Sequence, residues 1–139
     1  MRFWDTSAIV PLVSLEETTP RIREILAADR NVIVSFLTPI EITSAIWRKA
    51  RETSDVEARR EAERRVHELL EPHWTVVDEV EPIARIARRL LTHHVLRTAD
   101  AINLAAAIYL ALDSGALPFI TNDNRLKAAA RAEGFPVLP

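Results

Sequence analysis

Short apolar, β-branched runs alternate with helical stretches along this chain, and nothing else in it restricts the fold so strongly. Residues 1–4, 31–36, 74–77 and 118–121 read as strands. Residues 135–138 read as a fifth, which Pro136 confines to a sheet edge. Ser7 is positioned to cap a helix over 7–15 that contains Pro11, and Thr19-Pro20 opens another with Ile22, Ile25 and Leu26 on one face. Thr38-Pro39-Ile40-Glu41 starts a helix to about residue 51, and Ser54 caps a very charged one to about 70, so the two form a hairpin. Glu81-Pro82 starts a helix to about 91. Thr98 caps another that is apolar over 101–112, expected to be buried on most sides, and ended by Gly115. A last helix over 123–133 stops at Gly134. Strands alternating with helices imply an α/β fold, with a parallel sheet covered on both faces.

An acid stands at four of the helix starts: Asp5, Glu41, Asp100 and Asp123. In a parallel α/β fold such places converge at the carboxyl edge of the strands. Each acid also has a plainer reading. Asp5 and Asp123 are at positions where aspartate caps a helix, with Asn122 competing for the second cap. Thr38-x-x-Glu41 has the spacing of a capping box. Asp100 suits the helix dipole. Yet Asp5 follows Phe3-Trp4 and Asp100 precedes Ala101-Ile102, at the margin of a core, where an uncompensated charge is costly. Four carboxylates in one crevice repel one another unless a cation is present. An oxygen-only donor set suits Mg²⁺ or Mn²⁺.

The composition narrows the alternatives. The 139 residues suffice for one domain with a core, expected to span 1–139. Cysteine is absent, which excludes zinc-thiolate sites and thiol nucleophiles and agrees with a reducing cytoplasm. No signal peptide precedes Asp5, and the apolar run 101–112 is too short for a membrane span. A net charge of −2 argues against polyanion binding over the whole surface. The cations are almost all arginine, which favours bidentate phosphate or carboxylate contacts; lysine occurs only at 49 and 127.

Four segments carry a family resemblance: Phe3-Trp4-Asp5-Thr6-Ser7-Ala8, Pro39-Ile40-Glu41-Ile42, Ala99-Asp100-Ala101-Ile102-Asn103-Leu104-Ala105 and Thr121-Asn122-Asp123-Asn124-Arg125-Leu126. In order and spacing the chain resembles the PIN-domain ribonucleases, most closely the VapC-type toxins of toxin–antitoxin pairs. The resemblance implies a three-layer sandwich, with a central parallel sheet of four to five strands flanked by helices and a protruding helical hairpin. It implies a divalent-metal site at Asp5, Glu41, Asp100 and Asp123, and an endoribonuclease held inactive by a small antitoxin that contacts the hairpin. It further implies a homodimer, and products with 5′-phosphate and 3′-hydroxyl ends. Asn103 departs from the family, where many relatives carry histidine.

RNA hydrolysis by metal-activated water assigns the roles. Asp5 and Asp100 bind the metal, Asp123 completes the cluster, and Glu41 is either a ligand or orients the attacking water. Thr6 and Thr121 are candidates for hydrogen bonds to the ligands or a phosphate, and Arg97 and Arg48 for phosphate contacts. His67, His73, His93 and His94 lack metal-motif spacing. The arginines at 59, 60, 64 and 65 alternate with glutamates and read as a solvated helix face. Trp47 is either core or an anchor for a partner. Two other classes remain. One is a Mg²⁺-dependent phosphatase or phosphoacceptor using Asp5, for which Ser7 stands where a second aspartate is wanted. The other is a non-catalytic binding module on the same fold.

Overall fold

Phe3 and Trp4 are neighbours in strand β1 (Arg2–Trp4), and both are fully buried, one on each face of the sheet. Successive side chains of a strand point to opposite sides, so a central strand with no polar alternation needs cover on both. The computed structural model describes residues 1–13, 19–52, 55–70 and 74–138. After β1 come α1 (Thr6–Val13), α2 (Thr19–Ala28), β2 (Val32–Ser35), α3 (Thr38–Glu52), α4 (Val56–Leu70) and β3 (Trp74–Val77). Then follow α5 (Val80–His93), α6 (Thr98–Ser114), β4 (Phe119–Ile120), α7 (Asn124–Ala132) and β5 (Val137–Leu138). Among the described residues this is a five-stranded, fully parallel sheet in the order β3-β2-β1-β4-β5. The α/β sandwich and the edge position of the last strand agree with the sequence reading, but β5 begins only after Pro136 rather than at residue 135.

Two apolar layers enclose the sheet. On one face Phe3, Ile33 and Phe119 pack with Ile83 and Leu90 of α5, Leu104 of α6 and Leu126 of α7. Phe119 stacks on Phe3, with centroids 5.5 Å apart, and meets Phe135 edge-on at 6.1 Å. On the other face Trp4, Val32, Val34 and Ile120 pack with Ile9, Ile22, Ile42 and Ile46 of α1, α2 and α3. The α3–α4 hairpin therefore anchors its first turns in this second layer, and Arg59 Nε donates to the Ala50 carbonyl at 2.8 Å to tie its two helices together.

Several helix starts differ from expectation. Asp5, not Ser7, caps α1: its carboxylate accepts the Ser7 N–H. Asp55 caps α4 by accepting from the Glu57 and Ala58 N–H groups. The expected cap Ser54, the expected end of the first helix at 15, and His73 lie outside the described residues. Arg97 occupies the cap position of α6, so Thr98 is already helical. Pro11 inside α1 removes the N–H that would serve the Ser7 carbonyl. Asn122 Nδ2 donates to that carbonyl at 3.0 Å, which explains how the proline is accommodated. The apolar run of α6 is buried at Ala101 and from Asn103 to Ala107, but Leu112 is 73% exposed, so its last turn leaves the core. Gly115 and Gly134, at φ 75° and 88°, close α6 and α7 in a region L side chains avoid. No single helix among the described residues is long and apolar enough to cross a membrane.

Candidate metal centre

The strand order reverses direction beside β1: β2 and β3 extend one way, β4 and β5 the other. In a parallel sheet such a reversal opens a crevice at the carboxyl ends of the strands. Asp5 is the first residue after β1 and therefore stands at its mouth. Glu41 comes from the first turn of α3, which a two-residue connection joins to β2, and Asp123 follows β4. Asp100 is delivered differently. It follows a helix rather than a strand, because the chain bends by 120° between α5 and α6 and brings the start of α6 to the same edge. All four acids line one cleft of about 330 Å³, together with Thr6, Ser7, Arg48 and Arg97.

Asp5 is only 3% exposed. Its Oδ2 accepts from the Ser7 N–H (3.1 Å), the Ser7 hydroxyl (2.5 Å) and the Thr121 hydroxyl (3.0 Å), and its Oδ1 from Asn103 Nδ2 (2.9 Å). Burial pushes its carboxyl up to about 6, and the Glu41 charge adds to the rise, while the Ser7 and Thr121 hydrogen bonds oppose it. A carboxylate with four donors that still resists ionisation lacks a compensating positive charge.

Glu41 does not form the expected box with Thr38. Its N–H bonds to the Leu37 carbonyl (3.0 Å), and the Thr38 hydroxyl lies 3.4 Å from that of Ser35. The Glu41 carboxylate is thereby free to turn into the cleft, where Oε2 accepts from the Thr6 hydroxyl and from Asn103 Nδ2 (3.1 Å). Asp100 Oδ2 accepts the Arg97 N–H (3.1 Å) and closes the start of α6. Burial raises its carboxyl, with the Asp123 charge adding; the Arg97 N–H and the Arg97 and Arg125 charges oppose. Asp123 caps α7 through Oδ1, which accepts from Arg125 N–H (2.8 Å) and Leu126 N–H (3.0 Å). Asn122, the rival cap, is committed to Ser7 instead.

The capping and site readings of these acids are thus compatible. Asp100 and Asp123 each spend one oxygen on a helix start and Glu41 spends one on Thr6 and Asn103. Among the described residues no donor reaches the other oxygen of any of the three. Asp5 keeps spare capacity on Oδ1. As they stand, no three acidic or imidazole side chains among the described residues converge on one point closely enough to hold an ion. Their chemistry fits a hard divalent cation, since the donors are all oxygen, burial raises the carboxyls of Asp5 and Asp100, and Asp5 has no counter-charge beside it.

Thr121 lies beneath the cleft rather than in its lining and acts on Asp5 and on the Asp123 N–H (3.1 Å). Among the described residues no histidine lines the cleft. His94 bonds to Glu133, and His93 turns back on Arg89 and Thr92. On α4, Arg64 pairs with Glu61 and Glu68, as a solvated face should. Trp47 is 40% exposed and outside both apolar layers. Sequence reading overlooked Asn103, Ser35 and Asn122 as parts of the site. The available signal for Asn103 was an amide inside an otherwise apolar helix.

Similarity to known proteins agrees with this architecture. Comparison with curated protein sequences gives no match. Among solved structures, the chain is similar to a toxin–antitoxin complex from Klebsiella pneumoniae, with TM-score 0.70 and 20% identity over 100% of this chain and 97% of that one. FitAcB from Neisseria gonorrhoeae gives TM-score 0.72 and 18% identity over 100% and 97% of the two chains. VapBC2 from Rickettsia felis, bound to a DNA fragment from its promoter, gives 0.68 and 12% over 99% and 96%. The family model described as PIN domain matches residues 2–132. With almost its whole length matched and four acids brought to one strand edge, this chain belongs to the PIN domain family.

Proposed function

We propose that this protein is a metal-dependent endoribonuclease and the toxin of a VapBC-type toxin–antitoxin pair. The observation that carries the reading is one cleft in which four carboxylates from separate elements face two arginines, Arg48 and Arg97. Fold-level similarity to toxin–antitoxin complexes supports it. Asp5, Asp100 and Asp123 would hold Mg²⁺ or Mn²⁺, with Glu41 as a further ligand or as the group that orients water. When bound, the cation would lower the pKa of a water and offset charge on the phosphate.

The chain's own groups do the rest. Arg48 and Arg97 bind the phosphodiester oxygens of the RNA and hold it over the acids. Thr6 and Asn103 fix Glu41 through Oε2, leaving Oε1 open either as a metal ligand or to orient the attacking water. Ser7 and Thr121 saturate Oδ2 of Asp5 and so orient Oδ1. Among the described residues no histidine lines the cleft, so none of them forms an imidazole pair placed to activate a ribose 2′-hydroxyl. Attack by water on the phosphate with the P–O3′ bond breaking and the 3′-oxygen leaving, protonated to a hydroxyl, gives 5′-phosphate and 3′-hydroxyl ends. A phosphatase using Asp5 as nucleophile is poorly supported, since no lysine lines the cleft and Asp5 Oδ2 already accepts three hydrogen bonds.

Further parts of the reading are a single cytoplasmic domain over 1–139, a homodimer, and a small antitoxin seated on the α3–α4 hairpin near exposed Trp47. The decisive experiment incubates the antitoxin-free chain with a mixed RNA pool and Mn²⁺ or Mg²⁺, beside Asp5→Asn and an EDTA control. Discrete cleavage requiring both metal and Asp5 is expected. Metal-loaded protein that cuts no RNA would refute the nuclease reading.

A further inference from the structure

Asn103 is 1% exposed and sits one turn into α6, on the buried side of the cleft. Its single amide nitrogen donates to Asp5 Oδ1 at 2.9 Å and to Glu41 Oε2 at 3.1 Å. Its carbonyl oxygen accepts from the hydroxyl of Ser35, at the end of β2. An amide presents its oxygen and nitrogen to different partners, and a flip would set the oxygen against two carboxylates. The two carboxylates, which only accept, therefore select the orientation in which both N–H bonds face acids, and the Ser35 hydroxyl donates to the carbonyl at the other end.

We propose that Asn103 is a positioning residue: its amide bridges Asp5 and Glu41 and holds the two carboxylates within reach of one divalent cation, with Ser35 anchoring the carbonyl end of the bridge. This rests on the metal reading given above. Both N–H bonds leave a free lone pair on Asp5 Oδ1 and the whole of Glu41 Oε1 for the ion, so the bridge and the cation use different sites on the same carboxylates. The bridge crosses from α6 to β1 and α3, spanning 98 residues to Asp5 and 62 to Glu41, which explains how acids so distant in sequence are kept side by side. Partners that hydrogen-bond metal ligands and aim them typically govern affinity by about 10- to 100-fold.

The test is Mn²⁺ binding to the full antitoxin-free chain, followed by calorimetry and by the loss of the free-ion electron paramagnetic resonance signal. Wild type, Asn103→Leu and Ser35→Ala are compared, and melting of each metal-free protein is recorded beside them. The expected result is Mn²⁺ binding weakened about tenfold or more in Asn103→Leu and weakened less, in the same direction, in Ser35→Ala. A purely structural Asn103 would lower the melting temperature and leave the dissociation constant of the folded protein unchanged, which overturns the proposal while the metal site stands. Wild type that fails to bind Mn²⁺ removes the metal site and this role with it. Should Asn103→Leu not fold, Ser35→Ala decides, and an unaltered dissociation constant there overturns the proposal.

Discussion

Asp5 is a carboxylate placed where ionisation is disfavoured. Its folded-state value of about 6 exceeds the 3.8 of the free side chain, so between about pH 4 and pH 6 the folded chain keeps a proton that the unfolded chain has lost. Metal-free stability therefore falls as pH rises through that window and levels off above it. The full difference amounts to about 3 kcal/mol. The wild type in EDTA should gain about 1 kcal/mol on moving from about pH 7.5 to about pH 5, read from urea denaturation, with Asp100 acting in the same direction. Asp5→Asn should lack most of that slope and melt no lower than wild type at neutral pH. It should also reduce cleavage by at least about 100-fold, and a collapsed fold would instead mark Asp5 as structural. Saturating Mn²⁺ should reverse the slope, because ligands must lose their protons to bind. The acids were legible in sequence because each stands at a helix start beside an apolar stretch. Their second duties were not, since whether Glu41 caps α3 or turns to Thr6 depends on Leu37 and Thr6 reaching it in space. Asn103 was legible only as a departure, since its partners are 98 and 62 residues away.

At the scale of elements, β-branched and apolar composition identified the strands, and Trp74–Val77 has the expected bounds. The sheet order could not be read in the same way, because pairing of β1 with β4 depends on long-range packing of Phe3 with Phe119. That contact offers a direct measurement. Phe119→Ala should cost about 3–5 kcal/mol in urea denaturation, and a loss below about 1 kcal/mol would show that the central aromatic stack is not what joins these strands. A polar clasp links other elements. Glu133, at the end of α7, accepts from Arg89 Nη1 (3.2 Å) and Nη2 (2.7 Å) on α5 and from His94 Nε2 (2.9 Å). The Arg89 hydrogen bonds above all hold the Glu133 carboxyl below its usual value. Its contribution is complete above the unfolded value of 4.5 and is lost as pH falls through the lower folded one. Glu133→Gln should cost about 1 kcal/mol near pH 7, measured by the same denaturation, and nothing once wild-type Glu133 is protonated.

For the whole molecule, the cleft exists only where helix starts and strand ends from both halves of the chain meet. A cation held there and not by the unfolded chain stabilises the fold by mass action, about 2.7 kcal/mol at a free concentration a hundred times the dissociation constant. Mn²⁺ should therefore raise the melting temperature by several degrees in wild type and much less in Asp5→Asn, and EDTA should cancel the rise. No change at millimolar metal would speak against the site. The hydrogen bond from Thr121 to Asp5 joins residues 116 positions apart, across the neighbouring strands β1 and β4. During synthesis on a ribosome, Asp5 emerges long before the strand that must lie beside it. A nascent chain thus carries its first acid without Thr121 to orient it or Asp123 to complete the set, and the cleft stays unassembled until β4 has been released.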